Sequence, residues 1–164
     1  EIRFCDWSSD VCSSDLIKED MPLLARHEGE WEGTYTVVDP DGKVIDQHRS
    51  HLSCAFPVDG SHDYYQVNRY TWADGRSEEH RFPGTYLGDG RMGFDTERIK
   101  GVTWELDERA IYLHWFYKAE GADIQLFELI VLSDDGRDRS RVWQWIKDGR
   151  CFQRTLINEI RVSA

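Results

Sequence analysis

Gly29-Glu30-Trp31-Glu32-Gly33-Thr34-Tyr35-Thr36-Val37-Val38, followed by the turn Asp39-Pro40-Asp41-Gly42, is the stretch that decides the fold. Trp31, Gly33, Tyr35 and Val37 alternate with Glu32, Thr34 and Thr36. That is the period-two pattern of a strand with one buried face. The Asp-Gly pair ends it, because glycine takes positive φ without steric cost and suits a tight hairpin.

The same grammar runs outward to the C-terminus. Turn signals recur at Asp59-Gly60, Ala73-Asp74-Gly75, Gly88-Asp89-Gly90, Asp107-Glu108, Glu120-Gly121, Asp134-Asp135-Gly136 and Asp148-Gly149. Between them the pattern predicts strands over 31–38, 43–56, 63–72, 77–87, 91–98, 101–107, 110–119, 123–133, 137–147 and 150–162. One short helical lead-in is predicted over Pro22 to His27, with proline near its start. Short strands joined by tight turns make an antiparallel meander, and a meander this long removes its unpaired edges by closing. The predicted class is all-β: an up-and-down antiparallel β-barrel of about 8–10 strands with a short N-terminal helical lead-in.

Residues 6–16, Asp-Trp-Ser-Ser-Asp-Val-Cys-Ser-Ser-Asp-Leu, are of a different character. The string resembles the conceptual translation of a common short-read sequencing adapter, as expected of a metagenomic assembly. Residues 1–20 are therefore expected to be a non-native, disordered leader, with the natural chain starting at Met21 and the barrel domain spanning 21–164. The full chain carries 31 acidic and 20 basic residues, net −11. From Met21 onward 25 acidic and 18 basic residues remain. An acidic balance argues against non-specific nucleic-acid binding, which needs clustered cations to displace counterions from phosphates. No apolar run approaches the roughly 20 residues of a membrane-spanning helix. Setting the leader aside leaves Cys54 and Cys151, too far apart for a metal knuckle and giving no disulfide framework. With no signal-peptide core after Met21, a cytoplasmic protein, monomer or homodimer, is expected.

His27-Glu28-Gly29-Glu30-Trp31-Glu32-Gly33-Thr34-Tyr35 resembles the G-x-W start of the calycin superfamily, the lipocalins and their relatives. It is closer still to the G-x-W-x-G variant of nitrobindin-like and uncharacterised calycin-like families. The longer string HEGEWEGTYTVVDPDG looks like the N-terminus of the DUF3598 calycin-like family, which has relatives among phycobilin lyases. The resemblance implies a barrel in which Gly29 lets the chain enter, Trp31 plugs the closed end and Gly33 completes the motif. It also implies a ligand cavity. The secreted-lipocalin disulfide and the second lipocalin signature T-D-Y are missing.

Alternation supplies an interior list. Leu52, Cys54 and Phe56 share a face, as do His80, Phe82 and Tyr86, then Leu113, Trp115 and Tyr117. Arg139, Arg141, Trp143 and Trp145 share another, opposed by Val142 and Ile146. Aromatic walls with a few polar anchors describe a small-molecule pocket; the competing reading is that the rings fill a narrow core. The cavity candidates are Tyr35, His80, Tyr86, Arg98, His114, Trp115, Tyr117, Arg141, Trp143, Trp145 and Arg154. An inward arginine must meet a carboxylate of the protein or of a ligand, and Arg141 or Arg154 is the candidate for the latter. The alternative is Arg–Glu pairing across the outer face.

The expected partner is therefore a small apolar or amphipathic molecule, carboxylated if an arginine anchors it. Two alternatives use the same barrel. One is a lyase, isomerase or cyclase, for which Asp95 and Glu97 share a strand face at about 7 Å. The other is nitrobindin-like haem binding through His80 or His114. No metal cluster is expected: His48 and His51 point to opposite faces, and the other histidines are isolated.

Overall fold

A computed structural model describes residues 13–120 and 123–163. Ten strands follow two short helices: α1 Ser13–Asp20, α2 Pro22–Ala25, β1 Gly29–Val38, β2 Val44–Ala55, β3 Tyr64–Thr71, β4 Ser77–Gly88, β5 Arg91–Asp95, β6 Ile99–Glu105, β7 Ala110–Tyr117, β8 Ile124–Leu132, β9 Asp138–Lys147 and β10 Arg150–Ser163. Each strand pairs antiparallel with the next, and β1 closes on β10, giving a complete barrel. The class expected from the period-two pattern is the class found. Strand ends move by at most a few residues, most at β5, which stops at Asp95 rather than residue 98.

The Asp-Gly pairs do what their chemistry suggests. Asp148 and Gly149 both sit at positive φ, 49° and 73°, the conformation a two-residue hairpin needs to match strand twist. At the first turn Asp39 Oδ1 accepts from the amides of Asp41 and Lys43 at 3.0 and 2.8 Å. Half of the Glu120-Gly121 turn lies outside the described residues.

Closure between β1 and β10 depends on Gly33. A Cβ there would stand 2.2 Å from the Asn158 carbonyl oxygen and 2.6 Å from Glu159 Cγ. The missing side chain is the space into which Glu159 turns. Trp31 plugs the end beneath it, fully buried, donating from Nε1 to the His27 carbonyl at 2.9 Å. The guanidinium carbons of Arg139 and Arg161 lie 4.2 and 4.3 Å from the centre of its ring system.

The helices cover this same end. α2 contributes Leu23 and Leu24, and the Leu24 amide donates to Glu105 Oε1 at 2.7 Å. The expectation of a disordered leader over residues 1–20 is corrected for Ser13–Asp20, which form α1. Ile17 and Met21 have no exposed surface and join the core, and Lys18 pairs with Glu28 at 2.9 Å. The reason is geometric: apolar side chains just ahead of Pro22 can reach a barrel end that must be closed. The reading of residues 6–12 lies outside the described residues. Cys54 is buried and Cys151 exposed, both free thiols.

Candidate functional site

With Trp31 and the helices closing one end, the other opens into a cavity of about 520 Å³. That volume lies within the range of small-molecule sites. The wall is aromatic because inward positions of five strands converge there: Tyr35 from β1, Tyr70 from β3, Phe82 from β4, Trp115 and Tyr117 from β7, Trp143 and Trp145 from β9. Rings meet edge to face, as their quadrupoles prefer: Tyr35 on Trp143 at 5.3 Å, and Trp143 on Trp145 at 5.7 Å. Phe82 and Trp115, 5.5 Å apart, also border a second, much smaller chamber of about 50 Å³ deeper in the barrel.

Below the aromatic wall lies a buried ionic network. Glu159 is paired with Arg139, and Arg141 Nε donates to Glu128 Oε1 at 2.5 Å. Arg141 also reaches Tyr35 Oη at 3.1 Å and Glu159 Oε1 at 3.4 Å, joining the two pairs. Two cations and two anions cancel, as burial requires. Burial on its own would raise Glu159, but the flanking Arg139 and Arg141 guanidinia hold its carboxyl below the usual range. Burial pushes the Tyr35 phenol well above its ordinary value and Tyr70 up to about 12. Both are therefore neutral hydrogen-bonding groups. Burial, then the Arg139 charge, drives His27 well below its ordinary value. Its Nδ1 accepts from Arg139 Nη1 at 3.3 Å, so the neutral ring carries its proton on Nε2.

Along β3 a polar ladder faces the same interior. Tyr64 Oη donates to Gln66, Gln66 to Asn68, and Asn68 to Tyr70 Oη, at 2.9, 2.7 and 2.9 Å. Glu128 Oε2, in the wall of the inner chamber, has no hydrogen-bond partner among the described residues.

Of the residues expected at the cavity, Tyr35, His80, Arg98, Trp115, Tyr117, Trp143 and Trp145 line it. Four placements are corrections. Arg154 points outward, because β10 buries the alternate residues Thr155, Ile157 and Glu159. His114 is on the outer wall, stacked on Phe127 at 4.4 Å and bonded to Gln125. Tyr86 faces the closed end, where its hydroxyl bonds Asp20. Arg141 is inside but already held by Glu128 and Glu159, so it is no free anchor for a ligand carboxylate. The Arg–Glu pairing that alternation placed outside therefore occurs inside.

Two chemical expectations move with these residues. Asp95 faces solvent and pairs with Lys118 and Lys100, while Glu97 stays at the cavity rim, so the two carboxylates do not converge. His80 is at the mouth with both ring nitrogens engaged, by Glu78 and by Arg98. His114 cannot hold a ring inside the barrel.

Sequence reasoning missed His48, Tyr70 and Trp72, all at the cavity wall. Extending the Leu52-Cys54-Phe56 alternation back along β2 passes through His48 and Asp46, so the signal was present. His48 Nδ1 lies 2.8 Å from Asp46 Oδ2, and Trp72 Nε1 donates to the same carboxylate at 2.9 Å. These bonds hold the Asp46 carboxyl below the usual range despite partial burial.

Fold and cavity together define a calycin-like protein: a closed antiparallel barrel, plugged at one end and open to an aromatic pocket at the other. Residues 19–164 match the model of the domain of unknown function DUF3598, N-terminal. The chain belongs to the DUF3598 family. No protein of curated function matches it.

Among solved structures it is similar to a DUF3598 protein of unknown function from Nostoc punctiforme PCC 73102, with 19% identity and a TM-score of 0.64, covering 85% of this chain and 49% of that one. The chain thus spans about half the length of that relative. An S-type phycobiliprotein lyase, CPES of Guillardia theta, shares the barrel at 10% identity and a TM-score of 0.64, over 87% of this chain and 92% of the lyase. Rv2717c of M. tuberculosis does so at 14% identity and 0.58, over 85% and 95%. At these identities the likeness is one of fold. Among the described residues no helix is long and apolar enough to cross a membrane.

Proposed function

We propose that this domain binds a small apolar or amphipathic molecule in the open-ended aromatic cavity. The observation that carries the reading is the cavity itself, about 520 Å³ and walled by aromatic rings above a charge-balanced floor. Because Arg139 and Arg141 are neutralised internally, a ligand carboxylate would be met at the rim, by Arg98 beside His80. The apolar body would then lie against Trp115, Trp143 and Trp145. The phycobiliprotein lyase of Guillardia theta shares this barrel, which is in keeping with a ligand-handling role.

Native mass spectrometry of the 164-residue protein should show a retained small molecule, or a one-to-one adduct on adding an aromatic carboxylate such as naphthoate. Trp145→Ala should weaken that adduct about 5- to 100-fold, the scale of one lost stacking contact. Arg98→Gln should weaken naphthoate but not naphthalene methanol. No adduct with any probe, or an adduct indifferent to Trp145→Ala, would overturn the proposal.

One observation favours a second reading. The Asp46–His48 pair is an oriented imidazole at the cavity wall, the arrangement used for proton transfer. On that reading His48→Gln keeps the adduct and abolishes conversion of a bound substrate.

A further inference from the structure

Beneath the aromatic cavity the inner chamber, about 50 Å³, has room for a group of a few heavy atoms. Successive inward positions of β7 give its depth. Tyr117 lines the cavity, Trp115 borders both spaces, and Leu113 lines the chamber alone. Each such step along a strand is about 7 Å. The throat between the two spaces is the Phe82–Trp115 pair.

The chamber wall is mixed. Phe94, Ile111, Leu113 and Ile130 make it apolar, while Gln66 and Asn68 of the β3 ladder join His27, Glu128, Arg139 and Arg141 in its polar part. Four polar atoms on lining residues have no hydrogen-bond partner among the described residues: Glu128 Oε2, Arg139 Nη2, His27 Nε2 and Trp115 Nε1. Each of these side chains is more than nine-tenths buried. Unpaired polar atoms in a dry interior are costly, so their gathering at one chamber points to a group that meets them.

Their chemistry says which group. Glu128 Oε2 accepts, its carboxylate being paired with Arg141. Arg139 Nη2 and Trp115 Nε1 can only donate. His27 Nε2 donates too, because its Nδ1 accepts from Arg139. The site also has no net charge to offer, since Arg139 and Arg141 are balanced by Glu128 and Glu159. An ammonium or a carboxylate there would be a buried charge without a counter-ion. A neutral group that both donates and accepts meets both conditions.

We propose that the inner chamber binds the uncharged polar end of the ligand, a carboxamide or hydroxyl that donates to Glu128 and accepts from Arg139, His27 or Trp115. The inference rests on the ligand reading above and adds a direction to it. The neutral end goes inward past Phe82 and Trp115, and any carboxylate stays outward at Arg98.

Equilibrium dialysis of the 164-residue protein against two probes of like size tests it. 2-Naphthamide donates and accepts; methyl 2-naphthoate only accepts. The amide should bind about 10- to 100-fold more tightly, the scale of one hydrogen bond to a charged group. Leu113→Phe fills the chamber from its apolar side and should bring the two affinities together. Far-UV circular dichroism verifies that the variant keeps its strands, and the comparison of probes on the parent protein stands without it. Equal affinities on the parent, as a chamber holding only ordered water would give, would overturn this proposal and leave the ligand reading in place. An amide preference that survives Leu113→Phe in the folded variant, or binding of 2-naphthoate but of neither neutral probe, would do the same. Failure of all three probes would overturn both.

Discussion

Glu159→Gln removes one charge from the buried network and little else. The amide has the volume of the carboxylate and can still accept a hydrogen bond, but Arg139 and Arg141 are left with Glu128 as their only carboxylate partner. Both guanidinia are almost fully buried. Breaking such a pair by removing one partner costs about 3–5 kcal/mol. For a domain of this size that lowers the midpoint by about 10–15 °C. Urea unfolding followed by tryptophan fluorescence should show the loss as a shifted midpoint with an unchanged slope. The exposed pairing of Glu79 with Arg69 and Arg81 provides the contrast: Glu79→Gln should leave the midpoint where it is. Adding Arg139→Met to Glu159→Gln should recover part of the loss, since the uncompensated charge goes too. A loss below about 1 kcal/mol for Glu159→Gln, or no recovery in the double variant, would refute a buried, mutually neutralised network.

Acid should act in two stages. His27 is held below its unfolded value, so the unfolded chain takes up the proton first. Stability is full above about pH 6.5 and falls by up to about 1.4 kcal/mol per pH unit below it. Glu159, also depressed, adds its own loss below about pH 4.5. His27→Gln should flatten the first stage in pH-resolved urea melts and leave the second. Gly33→Ala should cost several kcal/mol or prevent folding, because its Cβ meets backbone at 2.2 Å; a midpoint within a few degrees of the parent would show that β10 can yield. Ile17→Ala should cost about 2–5 kcal/mol if α1 belongs to the native core, and nothing if it does not.

Most of the fold could be read from the chain. Period-two alternation is a local property, set by strand geometry, and Asp-Gly pairs mark where it must turn, so ten strands and their order follow without tertiary information. The cavity residues on β1, β7 and β9 were legible for the same reason. Arg154, His114 and Tyr86 were not. Which parity is inward at Arg154 depends on the irregularity between Cys151 and Gln153, which shifts the register of β10 against β9. His114 is an aromatic neighbour of Trp115 in sequence and its opposite in space. Tyr86 has inward parity but the wrong height, because α1 and α2 occupy that end of the barrel.

The sequence by itself determined the class and the strand order, since these rest on side-chain periodicity and on the φ freedom of glycine in the turns. It could not decide what the interior charges do. Glu128, Arg139, Arg141 and Glu159 come from the adjacent strands β8, β9 and β10, and the register of those strands, with Glu159 turned into the space Gly33 leaves, brings them into one neutral cluster. That register turns an arginine that reads as a ligand anchor into part of the floor. It moves the available cation to Arg98 at the rim, because buried charge must be balanced where it lies, and which side chains lie close enough to balance it is settled by strand register and inward parity in the folded barrel.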